Sequence, residues 1–201
     1  SSNCYRAGFI KKLFPAARIR FVLLARNPMA SINGLMEGWL SRGFFSRNIG
    51  AIKELGIKGY STPEKPWSLD WWKFDLPPGW AGYSRKTLEE VCAFQWLSAN
   101  EQILKDSDNG VFEEKLSIKY EDLLAPSSLS REIKKILDLA GLTDLDIAAG
   151  SAAARHVMSV SAPRPGKWLK RERALLPLVS GRVKAAAERL GYDPEEAKKW
   201  P

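Results

Sequence analysis

The chain has 201 residues, of which 45% are hydrophobic, so it is long enough for a sizeable core and too apolar for a disordered protein. Its formal net charge is +8, which favours a polyanionic partner such as a nucleotide, a nucleic acid or an anionic glycan or lipid, although simple solubility explains the charge equally well. Two cysteines make neither a disulfide framework nor a metal cluster. The sequence has no 18-residue apolar run and no signal-peptide pattern. Because it begins at Ser1 without an initiator Met, the absence of a targeting signal counts for little, and a cytoplasmic protein is only a weak expectation.

The first elements are a helix over residues 4–14, closed by Pro15, and a strand over residues 19–25. The strand is an almost unbroken apolar run, which is typical of a strand buried on both faces of a parallel sheet. It ends at Arg26, after which Asn27 can cap a helix and Pro28 suits the first helical position. Apolar residues at helical spacing then give this helix one buried face. They are Ile32, Leu35, Met36 and Trp39.

Arg26 therefore stands at the carboxyl end of a buried strand, where a helix begins. Ligands of open α/β sheets bind in that crevice, and the helix N-terminus offers free N–H groups to an anion. The sequence predicts an anion site at Arg26, or else a simple ion pair between Arg26 and a carboxylate of a loop.

Residues 41–86 are rich in glycine, proline and tryptophan, and Pro77-Pro78-Gly79 is a firm turn signal. So long an irregular segment with so many aromatic residues is typical of an ordered lid over a pocket, with the alternative that its tryptophans cover one edge of the core. In a lid, Trp67, Trp71 and Trp80 are candidate contacts to a substrate.

The second half of the chain alternates helices and strands, which indicates an α/β fold. Thr87-Leu88-Glu89-Glu90 has the form of a capping box. Tyr120 ends the next strand, at the same sheet edge as Arg26 if the two strands are parallel. The remaining predictions are a helix over residues 87–104, a strand over 115–120, a helix stopped by Gly141, a short helix near 144–154 and a long helix over 173–190.

Residues 155–173 form a basic loop. Two prolines constrain it, Gly166 allows a close backbone approach to a ligand, and Lys167 and Arg164 suit phosphate or sulfate oxygens. A solvated basic face is the alternative, and the Pro/Gly constraint favours a binding loop. Its charged residues are Arg155, Arg164, Lys167, Lys170, Arg171 and Arg173, against Glu172.

Four motifs in order resemble the sulfotransferase family that uses 3′-phosphoadenosine-5′-phosphosulfate (PAPS), most closely its bacterial and tyrosylprotein-type members. Pro77-Pro78-Gly79-Trp80 and Gln95-Trp96 are similar to segments of bacterial members. The resemblance spans nearly the whole chain. Its four motifs are Phe14-Pro15-Ala16-Ala17-Arg18 with the strand leading to Arg26-Asn27-Pro28, then Tyr120-Glu121-Asp122-Leu123, Gly166-Lys167-Trp168 and Leu190-Gly191-Tyr192.

The resemblance implies a single α/β domain over residues 1–201, with the P-loop, nucleotide-kinase-like three-layer fold around a central parallel sheet. In it Arg26 holds the 3′-phosphate of the nucleotide, and Tyr120 lies near the adenine. The family's serine eight residues after that arginine falls on Gly34, so Ser31 or Asn33 is the candidate replacement.

The resemblance further implies that Gly166-Lys167-Trp168 is the loop that closes over the 3′-phosphate, with Arg164 as a helper. Arg26 and Lys167 then converge on one nucleotide. No metal is needed if lysine and arginine supply the positive field.

The front of the chain departs from the family pattern. Members begin with a strand, a loop that grips the 5′-phosphosulfate and a helix, and their catalytic base also lies upstream of the strand that ends here at Arg26. We expect the base to precede Ser1 in a longer enzyme; the alternatives are a fragment or a degenerate, inactive relative. His156, the only histidine, falls beside the nucleotide loop, where a structural or adenine-adjacent role is favoured over that of the base.

The predicted function is transfer of a sulfuryl group from PAPS to a hydroxyl or amine of a small-molecule, lipid-like or peptide acceptor, with no stable nucleic-acid partner. Two alternatives remain open. One is a nucleic-acid-binding module whose tryptophans stack on bases, disfavoured because the basic residues cluster at one loop. The other is a non-catalytic scaffold with a Trp-rich partner surface.

Overall fold

The computed structural model describes residues 2–142, 160 and 164–200, and shows a mixed α/β chain that is mostly helical. Its strands are β1 (Arg20–Ala25), β2 (Ser46–Asn48), β3 (Trp71–Lys73) and β4 (Glu114–Lys119). Its α-helices are α1 (Ala7–Leu13), α2 (Pro28–Leu40), α3 (Trp67–Asp70), α4 (Leu88–Asp108), α5 (Tyr120–Leu124), α6 (Pro126–Ala140), α7 (Glu172–Leu175) and α8 (Gly181–Arg189). Short 3₁₀ segments cover Ser2–Tyr5, Trp80–Tyr83, Lys167–Arg171, Leu176–Leu178 and Pro194–Lys199.

The chain divides into two compact units, each assembled from separated segments. The first unit comprises Ser1–Cys4, Asn27–Gln102 and Ser159–Pro201. The second unit comprises Tyr5–Arg26 and Ile103–Met158. The single domain predicted from the sequence stays a prediction.

The second unit contains a parallel pair of strands, β1 and β4, in which Ala25 is opposite Lys119. The parallel arrangement is the one that the sequence analysis required. The expectation that β1 is buried on both faces is wrong, because Leu24 is 50% exposed while Leu23 and Ala25 are buried. The parallel sheet has only these two strands among the described residues, and the three-layer arrangement around a central sheet stays a prediction.

The core of the first unit is built around helix α2 and strand β3. The predicted apolar face of α2 is buried at Ile32, Met36 and Trp39. Trp39 meets the buried Trp72 edge to face, with ring centroids 5.2 Å apart. Its indole Nε1 donates to Gln95 Oε1 (2.8 Å), so α2 is joined to α4 by a buried hydrogen bond.

Gln95 also fixes strand β3. Its Nε2 donates to the carbonyl oxygens of Lys73 (2.8 Å) and Asp75 (2.7 Å). These carbonyls lie at and just after the end of a strand of three residues, where the antiparallel ladder with β2 supplies few partners. One buried amide therefore holds α2, α4 and β3 together.

The predicted helix ends are confirmed. Asn27 Oδ1 accepts from the Ala30 N–H (2.8 Å), which caps α2. The capping box at α4 is reciprocal, since Thr87 Oγ1 accepts from the Glu90 N–H and Glu90 Oε2 accepts from the Thr87 N–H. Gly141 ends α6 in the left-handed region at φ 74°, which a glycine adopts without steric cost.

The long helix predicted over residues 173–190 is wrong, because the chain forms α7, the 3₁₀ turn Leu176–Leu178 and α8 instead. Pro177 has no N–H to donate within a helix, and Ser180 takes an extended conformation before α8. The short helix predicted near 144–154 lies outside the described residues. Within residues 2–142, 160 and 164–200, none of the helices is long and apolar enough to cross a membrane.

Candidate functional site

The carboxyl edge of the parallel pair carries the first candidate site. Arg26 follows directly after β1, and Tyr120 follows directly after β4. The guanidinium carbon of Arg26 lies 4.8 Å from the centre of the Tyr120 ring. A cation–π contact of this kind holds a guanidinium in place over an aromatic ring. The structure therefore brings together the two residues that the sequence places at this edge.

Helix α2 begins just after Arg26, and a side chain accepts a hydrogen bond from one of the backbone N–H groups of its first turn. Asn27 is fully buried and its side chain caps the helix. Of the candidates to replace the family serine, Ser31 is half-buried and Gly34 is exposed. Asn33 is buried and its Oδ1 accepts from Arg171 Nη1, so its carbonyl oxygen is bonded to the basic turn.

The basic turn is the 3₁₀ segment Lys167–Arg171, the second candidate site. Gly166 precedes it with φ 65°, a conformation in which a Cβ is strained and would lie 3.0 Å from Leu169 Cδ1. Trp168 is fully buried, and its indole Nε1 donates to the carbonyl oxygen of Trp200 (3.1 Å). The predicted Gly-Lys-Trp motif is thus a tight turn. Its tryptophan is buried in the core, and its lysine lies next to Glu37.

Glu37 of helix α2 gathers the cations of this turn around one carboxylate. Lys167 Nζ and Lys170 Nζ each lie 2.7 Å from a carboxylate oxygen, and Arg171 Nη1 lies 3.7 Å from Oε1. Glu37 is 11% exposed and Lys167 is 17% exposed. Among the described residues, this group has three positive charges against one negative charge, a surplus of two. We refer to Glu37, Lys167, Lys170 and Arg171 as the Glu37 cluster.

The charge state of the Glu37 cluster follows from its geometry. Burial raises the pKa of Glu37, but hydrogen bonds and the charges of Lys167 and Lys170 outweigh it and lower that pKa to about 2. Glu37 is therefore ionised at neutral pH, and it orients the cations that the sequence predicts as phosphate ligands.

Sequence reasoning missed Glu37. The available signal was its position, since Glu37 is the only acidic residue between Arg18 and Leu40 and lies one helical turn after Asn33. Its cations follow about 130 residues later, and no local pattern connects the two segments.

The tryptophans of residues 41–86 divide between core and surface. Trp72 is fully buried, which fits the alternative that this segment covers part of the core. Trp80 packs edge to face on Trp72 with centroids 5.5 Å apart, and Trp71 is 38% exposed. Trp67 is half-buried and is the one beside two cations: Lys73 Nζ lies 5.2 Å and Arg42 Cζ 5.8 Å from its ring centre.

The remaining residues of the basic loop add little to the description of the site. Arg164 is exposed. Arg155, His156 and residues 161–163 lie outside the described residues, as does Ser1 with any segment before it. Within the part of the chain that is described, no three His, Cys, Asp or Glu side chains form a group that could hold a metal ion.

No family model, curated protein or solved structure matches this chain.

Proposed function

We propose that this chain is a PAPS-dependent sulfotransferase with the P-loop, nucleotide-kinase-like three-layer fold, acting in the cytoplasm. The reaction forms a bond between an acceptor oxygen or nitrogen and the sulfur. The bond from sulfur to the 5′-phosphate oxygen breaks in line, and the acceptor proton passes to a base. Adenosine 3′,5′-bisphosphate is the second product.

The observation that carries the proposal is the pairing of Arg26 with Tyr120. Both side chains come from the ends of adjacent parallel strands, and the guanidinium lies 4.8 Å from the ring centre. The carboxyl edge of such strands is where α/β proteins bind nucleotides. An arginine for phosphate and an aromatic ring for a base are the two contacts that an adenosine phosphate needs there.

The Glu37 cluster, which lies within the first unit, gives the proposal separate support. Its surplus of two positive charges on a tight Gly-Lys-Trp turn matches the charge of a phosphate. Glu37 fixes the side chains in advance, so less rotamer entropy is lost when an anion binds. Sulfuryl transfer, like phosphoryl transfer, needs mainly positioning and positive charge, which such residues supply.

Calorimetry with adenosine 3′,5′-bisphosphate tests the proposal. A charge-assisted hydrogen bond contributes about 1.5–3 kcal/mol, so Arg26→Ala and Lys167→Ala should each weaken binding roughly tenfold to a hundredfold. Lys12→Ala and Lys198→Ala are the matched controls, because each removes one positive charge from an exposed side chain of the same unit.

The outcomes separate the alternatives. Equal losses in the variants and in their controls would show a general charge effect rather than a site. Unchanged affinity in Arg26→Ala would remove Arg26 from the nucleotide site, and with it the proposal. Tight binding of the nucleotide without sulfuryl transfer would favour the non-catalytic scaffold instead.

A further inference from the structure

Lys73 is a buried lysine without an acidic partner among the described residues. It is 1% exposed at the end of strand β3. Its ammonium donates to the carbonyl oxygen of Ser41, and its Nζ lies 5.2 Å from the centre of the Trp67 ring. None of the carboxylates in the described part of the chain forms an ion pair with it. Burying an ammonium under these conditions is costly, because a carbonyl and a ring replace only part of its hydration.

A second cation, Arg42, raises the free-energy cost of burying the Lys73 ammonium. Arg42 follows Ser41 in the chain, and its guanidinium carbon lies 5.8 Å from the same Trp67 ring. Burial and the positive charge of Arg42 both lower the pKa of Lys73. Arg42 also forms no ion pair among the described residues, and its side chain is exposed. Two cations thus share one aromatic ring, and neither forms an ion pair within the described part of the chain.

The segment that contains these two cations also carries a net positive charge. Residues 41–86 contain eight lysines and arginines and four acidic residues, so they carry half of the chain's net charge of +8. Tyr60 packs edge to face on Trp67 with centroids 5.7 Å apart, and its hydroxyl donates to the carbonyl oxygen of Trp71 (2.6 Å). This hydrogen bond, together with the Gln95 bonds to β3, holds the aromatic wall and the lysine in position.

We propose that Lys73, Arg42 and Trp67 form a binding site for a small organic acid that has an aromatic or apolar body and one carboxylate, phosphate or sulfate group. The oxyanion lies between the ammonium and the guanidinium, and the body of the ligand packs on Trp67. An ammonium has three N–H donors, and Ser41 accepts from one, so donors remain for the ligand. The proposed function enters in one respect only: the ligand is then the sulfuryl acceptor, held by its acidic end.

The test is calorimetry of the full chain with 4-hydroxyphenylacetate and with the neutral 4-hydroxyphenylacetamide, in the absence of nucleotide. The acid should bind at least about tenfold more tightly than the amide, since one charged hydrogen bond contributes about that much. Lys73→Met and Arg42→Gln should each bring the two ligands to nearly equal affinity. Arg85→Gln, which removes an exposed cation of the same segment, should leave the preference unchanged.

Because Lys73 is buried, Lys73→Met alone could change folding, and the exposed Arg42 keeps the test valid. Equal affinity for acid and amide in the wild-type chain would overturn the site. So would an equal loss in Arg85→Gln, or tighter binding of a single-stranded oligonucleotide that depends on Arg42. Preference for the acid in a chain that does not bind adenosine 3′,5′-bisphosphate would support this site while refuting the proposed function.

Discussion

The carboxylate at the centre of the Glu37 cluster should make the stability of the protein depend on acidity in a defined range. The pKa of Glu37 is about 2 in the folded chain against an ordinary 4.5. A group whose pKa is lowered by folding stabilises the fold above its unfolded pKa, and the contribution is lost as the pH falls towards the folded pKa. The contribution is therefore complete above about pH 5 and disappears between about pH 4.5 and pH 2.

The magnitude follows from the same two values. Each tenfold change in proton affinity is worth about 1.4 kcal/mol, so lowering the pKa from 4.5 to about 2 sets an upper limit of roughly 3–4 kcal/mol. The Glu37 side chain is 11% exposed and the Lys170 side chain is 52% exposed, so water and salt screen part of this interaction. We expect Glu37→Gln to lower the free energy of unfolding by about 1–2 kcal/mol at pH 7 and by roughly half as much at pH 3, which lies between the two pKa values.

Urea unfolding followed by tryptophan fluorescence at the two pH values measures this difference. The control is Glu54→Gln, which changes an exposed carboxylate that makes no ion pair in the described part of the chain. Comparing wild type with each variant at one pH cancels the titration of all other groups. A gap between wild type and Glu37→Gln that is the same at pH 7 and pH 3 would refute the ion-pair account of the Glu37 cluster.

Three further predictions concern the framework of the first unit. Gln95→Leu should cost about 3 kcal/mol or more in urea unfolding, because it leaves the Trp39 indole and two carbonyls unpaired; Asn100→Ala, which loses an amide bonded only within α4, should cost clearly less. Thr87→Ala should cost about 1 kcal/mol through loss of the capping box, and an unchanged midpoint would contradict that role. Burial raises the pKa of the Cys92 thiol, so a thiol reagent should modify Cys92 only after unfolding, and fast labelling located there by peptide mass would be inconsistent with a core position.

The sequence predicts an element correctly where contacts within one short segment determine that element. Asn27-Pro28, the Thr87–Glu90 box and Gly141 start or end helices through contacts within a few residues, and all three were predicted correctly. The edge shared by Arg26 and Tyr120 was also predictable, because it requires only that β1 and β4 be parallel.

The sequence was insufficient where distant segments decide the outcome. Glu37 acquires its role only when residues about 130 positions later fold against it. Trp71 and Trp72 are neighbours in β3, yet Trp71 is exposed and Trp72 is fully buried. From the sequence alone, Lys73 is indistinguishable from a surface lysine. In the structure it lies at the end of β3 and is buried.

The central claim is that this chain recognises an adenosine nucleotide by its 3′-phosphate. The most direct measurement is calorimetry of the wild-type chain with adenosine 3′,5′-bisphosphate and with adenosine 5′-monophosphate under the same salt. Our account predicts that the bisphosphate binds at least about tenfold more tightly, the value of one charged hydrogen bond to the additional phosphate. Equal affinity for the two nucleotides, or no binding of either, would contradict it.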